Sequence, residues 1–179
     1  MKTIQVQPGK VARALRARAC TRAATVTAAI PFAERPSHLN RSAIPWHALL
    51  AAARTAASKA YAPYSRFHVG AALLAEDGRI FIGANVENAS YGLTICAERA
   101  ALFAAVNAGV RHFKALALVA GSREPATPCG ACRQVLAEFC DRQMPVICAP
   151  LTGTARKRTT MGALLPLGFK LTPRLKAKD

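Results

Sequence analysis

Thr94-Ile95-Cys96-Ala97-Glu98-Arg99 and Pro128-Cys129-Gly130-Ala131-Cys132-Arg133-Gln134 each place cysteine where a helix is predicted to begin. Cys129 and Cys132, three positions apart, fall on one face of a helical turn. Pro128 suits the position just before that helix, and Gly130 relieves crowding beside a bound ion. The free N–H groups and positive dipole end at each helix start lower a thiol's pKa and favour metal binding. Cys96, Cys129 and Cys132 therefore read as three thiolate ligands of one zinc ion, with Glu98 beside its open position. Three protein ligands leave room for water, which separates catalytic from structural zinc. Hydrolysis is the chemistry this predicts.

Cys96 and Glu98 test the picture. Residues two apart in a regular helix point to nearly opposite sides, so both can flank one water only if Cys96 is the helix cap. Arg99 returns to the Cys96 face. Zinc with three thiolates carries a formal charge of −1, and guanidinium hydrogen bonds to sulfur would restore its acidity. Arg99 is the first candidate for that contact and Arg133 the second. A redox pair at Cys129 and Cys132, or a structural zinc completed by His68 or His112, is the competing reading of the same cysteines.

Working outward, Trp46, Leu49, Leu50, Ala53 and Ala57 recur at helical spacing and predict a helix over 46–60. Strands are predicted over 67–75 and 79–85 around the turn Glu76-Asp77-Gly78. A helix over 96–108 stops at Gly109. A buried-type strand over 113–120, a helix over 129–140 and a strand over 145–149 follow. Leu151-Thr152-Gly153 then turns into a basic strand over 155–160, and 162–166 reads as a last helical turn. This alternation predicts an α/β protein whose sheet is covered on both faces.

Of the 179 residues, 52% are apolar and 19% charged, ordinary values for a globular protein with a substantial core. The longest uncharged run, 143–155, is well short of the roughly 20 residues a membrane helix needs, so no membrane span is expected. The formal net charge of +16 is unusual. Residues 1–42 hold eight Lys/Arg and one acid, Glu34, while 43–179 hold seventeen Lys/Arg and eight acids. The excess is thus shared between a basic tail and a basic domain; it attracts anions without choosing among them. Residues 1–42 read as a basic, disordered extension, with an organellar targeting segment as the alternative; otherwise the chain is expected in the cytoplasm. Six cysteines without a secretory signal suit a reducing compartment. Cys140 and Cys148 read as small buried hydrophobes, a disulfide between them being the weaker alternative.

The ligand-x-Glu and Pro-Cys-x-x-Cys outline resembles the zinc deaminases, and the likeness extends over residues 45–170. Ala60-Tyr61-Ala62-Pro63-Tyr64-Ser65-Arg66-Phe67-His68-Val69-Gly70-Ala71-Ala72 is similar to an early block of the cytidine deaminases. Gly83-Ala84-Asn85-Val86-Glu87-Asn88-Ala89-Ser90-Tyr91 resembles their nucleoside-binding block, and Leu164-Leu165-Pro166-Leu167-Gly168-Phe169 a later one. The resemblance implies a three-layer α/β/α fold with a mixed sheet of about five strands. It also implies one zinc per chain on Cys96, Cys129 and Cys132, and Glu98 as proton shuttle. Asn85 and Glu87 would bind the ribose hydroxyls, Phe67 would line the base pocket, and the Ala97 backbone would lie along the pyrimidine edge. Phe169 resembles an aromatic lent to a neighbouring subunit. Cysteine rather than histidine at position 96 resembles the small homotetrameric branch.

The activity implied is deamination of cytidine and deoxycytidine, with release of ammonia, in pyrimidine salvage. Deamination of cytosine in nucleic acid is the main rival, because the chain is basic. Glu87 opposes it, since a carboxylate on a ribose hydroxyl would repel the phosphate that replaces this group in a polynucleotide. The short Leu151–Gly153 connection also suits a hairpin, whereas nucleic-acid deaminases place a helix between parallel strands there. Arg156-Lys157-Arg158, with Lys170, Arg174, Lys176 and Lys178, lacks interleaved aromatics for base stacking. A modified nucleoside is a second alternative, and a zinc-stabilised binding module a third.

Overall fold

The computed structural model describes residues 44–171, all within one compact unit, Leu39–Asp179. The readings made for residues 1–42, and those for Arg174, Lys176 and Lys178, lie outside the described residues. Helix α1 is Trp46–Ala57 and is followed by strands β1, Val69–Ala75, and β2, Ile80–Ala84. Helix α2, Ala97–Asn107, leads to β3, Phe113–Ala120. Helix α3, Gly130–Phe139, then connects to β4, Pro145–Pro150; β5, Lys157–Thr160, and a short α4, Met161–Leu164, close the fold.

The sheet runs in the order β2-β1-β3-β4-β5. β3 and β4 are parallel and every other pairing is antiparallel. The parallel pair is joined by α3, the kind of crossover a parallel connection requires. β4 and β5 form the antiparallel hairpin expected from the short connection, and Gly153 supplies its left-handed turn at φ +97°.

Two apolar layers sandwich this sheet because its strands alternate. Ala71, Leu73, Leu116, Leu118, Val146 and Cys148 face the layer containing Leu102, Leu136 and Met161 of α2, α3 and α4. Ala72, Leu74, Ala117, Val119, Ile147 and Ala149 face Leu49, Leu50 and Ala53 of α1. The three-layer α/β/α expectation holds. Cys140 and Cys148 are both buried in the first layer, as small hydrophobes should be, and Cys148 is a free thiol rather than half of a disulfide.

Two glycines set how closely the helices approach. A Cβ at Gly70 would lie 2.0 Å from the Ala53 carbonyl oxygen of α1. One at Gly83 would lie 2.3 Å from the Ala101 nitrogen and 2.4 Å from the Ala97 carbonyl oxygen of α2. The start of α2 therefore rests directly on β2.

The first helix ends three residues before its expected limit. After Ala57, Lys59 and Ala60 donate to carbonyls three residues back, and the Ser58 hydroxyl donates to the Thr55 carbonyl. This tightening releases the chain into Tyr61, which bridges to Val86.

Candidate metal centre and active site

Cys96 and Cys129 are the N-caps of α2 and α3, with extended backbones (φ −73°, ψ 155° and φ −68°, ψ 166°). Their carbonyls accept the first helical hydrogen bonds, from Ala100 and Arg133, at 3.0 Å each. Cys132 lies one turn into α3 and is fully buried. The cap geometry at Cys96 is the condition under which Cys96 and Glu98 can share a site.

The sulfurs of Cys96, Cys129 and Cys132 all lie within 4.8 Å of one another. Cys96 Sγ and Cys129 Sγ are 3.8 Å apart. Two thiolates bound about 2.3 Å from one tetrahedral zinc are separated by roughly 3.8 Å, so the spacing fits that ion. The Arg99 guanidinium fits it as well. Its Nη2 donates to the Thr94 carbonyl at 2.7 Å and lies 3.7 Å from Cys96 Sγ, while its buried Nε has no partner. A cation with an unmet donor beside three sulfurs suits a centre whose net charge is negative.

The protonation pattern follows from these contacts. The Cys132 thiol donates to Cys96 and, with Arg99, holds the Cys96 pKa down to about 5. Cys132 is correspondingly pushed up, first by that same bond and then by burial. Glu98, 3% exposed, is pushed up to about 7, mainly because burial penalises its charge. A carboxyl near neutrality can both take and give a proton.

Arg133 acts differently from the sulfur donor envisaged for it. Its Nε donates to the Pro128 carbonyl at 2.7 Å, Nη1 to the Leu164 carbonyl at 3.0 Å and Nη2 to the Thr127 hydroxyl at 3.0 Å. It thus ties the residues just before Cys129 to the end of α4. Gln134 extends the tie by donating to the Phe169 carbonyl at 2.8 Å.

The second half of the site is joined to the first through the backbone. Val86 and Ile95 exchange hydrogen bonds at 2.9 and 3.0 Å, which brings Asn85 and Glu87 alongside the residue preceding Cys96. Tyr61 bridges the other side of Val86. The Asn85 side chain is nearly buried; it accepts from the Val69 N–H at 2.8 Å and donates to the Phe67 carbonyl at 2.9 Å. Glu87 accepts from the Tyr64 and Ser65 N–H groups at 3.0 and 3.2 Å and from the Ser65 hydroxyl. Those bonds, the Ser65 hydroxyl foremost, hold its pKa below the ordinary value of 4.5. Phe67 is partly exposed beside them, Ala97 is buried in the first turn of α2, and Phe169 is 69% exposed.

Sequence reasoning overlooked Ser65, Thr94, Thr127 and Leu164 as parts of this site. Ser65 stood inside a block already singled out, and its hydroxyl was the available signal. Thr94 and Leu164 contribute carbonyl oxygens, which every residue has, so no sequence signal marks them.

Three thiols gathered at two helix starts, with the buried Glu98 carboxyl beside them, form a site that could hold a metal ion. The model of the cytidine and deoxycytidylate deaminase zinc-binding region matches residues 46–148, and the chain belongs to that family. A cytidine deaminase of Sporosarcina psychrophila is 56% identical over 121 residues, covering 68% of this chain and 88% of its own. A cytidine deaminase of Mycobacterium tuberculosis is 45% identical over 128 residues, covering 72% of this chain and 92% of its own. Among solved structures, the cytidine deaminase of Burkholderia pseudomallei superposes with a TM-score of 0.67 at 51% identity. That match covers 70% of this chain and all of the other. Among the described residues, no helix is long and apolar enough to cross a membrane.

Proposed function

We propose that this chain hydrolyses cytidine and deoxycytidine to uridine and deoxyuridine, releasing ammonia. The observation that carries the reading is the buried Glu98 carboxyl, set in the first turn of the helix that Cys96 caps and so beside the cluster of Cys96, Cys129 and Cys132. Cys96, Cys129 and Cys132 would hold the zinc ion, which when bound would supply the Lewis acidity that makes water a nucleophile at neutral pH. Glu98 takes a proton from the attacking water and gives it to ring N3, which makes C4 electrophilic. It then takes the proton remaining on the new C4 hydroxyl and carries it to the departing amino nitrogen, leaving the C4 carbonyl of the product. A C4–O bond forms, the C4–N bond breaks, and nitrogen leaves as ammonia rather than as amide ion.

Asn85 and Glu87 engage the ribose hydroxyls. Phe67 lines the base pocket, and the Ala97 backbone lies along the pyrimidine edge. Arg99 offsets thiolate charge through its contact with Cys96 Sγ. The antiparallel β4–β5 hairpin supports a free nucleoside over a polynucleotide as substrate. Homotetramer assembly is part of this reading, supported by the exposure of Leu167, Phe169 and Leu171 in succession. So are a basic extension over 1–42 ahead of a deaminase domain over 43–179, and residence in the reducing cytoplasm, where three thiols stay available to metal.

The test is ammonia release by purified, zinc-quantified protein given cytidine, deoxycytidine, cytidine 5′-phosphate and single-stranded DNA in parallel. Turnover of the two nucleosides alone is expected. Turnover of DNA alone would reassign the substrate to nucleic acid, and silence on all four with one zinc per chain would favour a modified nucleoside or a binding role.

A further inference from the structure

We propose that Ser65 is a positioning residue that aims the Glu87 carboxylate and, through the same hydroxyl, fixes the backbone of Phe67. The proposal rests on the reading that Glu87 meets the ribose, and it deepens that reading.

The hydroxyl is shared between two groups of the site. It donates to Glu87 Oε1 and accepts from the Phe67 N–H at 2.9 Å. Glu87 Oε2 is taken by the Tyr64 and Ser65 N–H groups. A carboxylate offers about four lone-pair directions, so three bonds leave one, on Oε1. That direction is the one a ribose hydroxyl can use, and the Ser65 hydroxyl decides where it points.

The backbone between these partners is held against its own preference. Arg66 has φ +54°, a left-handed conformation unfavourable for a residue with a Cβ, and among the described residues no other non-glycine residue has a positive φ. Such a conformation persists where surrounding contacts over-determine it. Here they come from both sides of Arg66. Tyr64 and Ser65 are bound by Glu87, Phe67 by Ser65 and Asn85, and Val69 by Asn85. The ribose half and the base half of the site are therefore one hydrogen-bonded unit with the Ser65 hydroxyl at its centre.

The experiment measures kcat and KM for cytidine in Ser65→Ala, Ser65→Thr, Glu87→Gln and the Ser65→Ala/Glu87→Gln double variant, with zinc content determined for each. Losing a hydrogen bond to a charged group should raise KM about tenfold in Ser65→Ala, with the loss falling on KM rather than kcat and with zinc retained. Ser65→Thr, which keeps the hydroxyl, should restore KM, and the double variant should be no worse than Glu87→Gln alone. If Glu87→Gln raises KM but Ser65→Ala does not, the positioning role is overturned and the ribose reading stands. If Glu87→Gln leaves KM unchanged, both are overturned. Ser65→Gly, read in parallel, also lacks the hydroxyl and serves where Ser65→Ala does not fold.

Discussion

Cys96 caps helix α2 in an extended conformation while Glu98 sits in that helix's first turn, so two residues separated by one position turn toward the same cluster. The Cys132 thiol is within hydrogen-bonding reach of Glu98, and the Cys96 charge bears on it. The break in helical geometry at one residue thus sets a buried carboxyl beside the three sulfurs.

Glu98→Gln should keep zinc and lose nearly all turnover. The amide preserves shape and burial but cannot carry a proton, and general acid–base catalysis contributes about 10²–10⁴-fold. Ammonia release and zinc content measured on one preparation decide it: a near-normal rate would remove Glu98 from the proton pathway.

Arg133→Ala should lose zinc faster than the parent. Its three donors hold Pro128, Thr127 and Leu164 around the Cys129 cap, and groups that orient ligands typically change metal affinity by about 10–100-fold. Arg133→Lys, which cannot span all three acceptors, should fall between. Competition with a chromophoric chelator measures this directly; equal zinc release from all three proteins would refute it.

Gly83→Ala should destabilise the fold even though it adds one methyl. That methyl would meet backbone atoms of α2 at 2.3 and 2.4 Å, contacts that no rotamer change can relieve. Overpacking commonly costs about 1–3 kcal/mol, and here the strain falls on the turn that presents Cys96 and Glu98. Denaturant unfolding should show lower stability, with Gly109→Ala, where nothing lies within 4 Å and only the positive φ is strained, less affected.

Nucleoside binding should hold through mildly acidic pH. The Glu87 pKa is depressed, chiefly by the Ser65 hydroxyl, so the folded state keeps the carboxylate charged below the pH at which a free one titrates. The contribution of its contacts is present above 4.5, the ordinary value, and is lost as pH falls through the depressed pKa. KM for cytidine should therefore show no Glu87-dependent rise between pH 7 and 5, measured against Glu87→Gln. A KM climbing toward the variant's value over that range would mean the carboxylate is not held charged.

The chemistry of this protein was written locally in its sequence. Cysteine spacing, a glutamate two positions from one of them, and helix-start signals are short-range patterns, and short-range geometry follows from backbone sterics alone. The strands were legible for the same reason: β3 occupies 113–120 as predicted, because the apolar run from Ala115 to Ala120, ended by Gly121-Ser122, has little alternative. What lay beyond the sequence depended on which distant residues meet. The pairing of Val86 with Ile95, which joins the Asn85 and Glu87 segment to the cysteine cluster, and the tie from Arg133 to Leu164, thirty-one positions away, use backbone acceptors that carry no sequence signature. Local preference marked the candidate ligands and the carboxyl beside them; tertiary packing decided their partners, because a hydrogen bond to a carbonyl is specified by proximity and not by residue type.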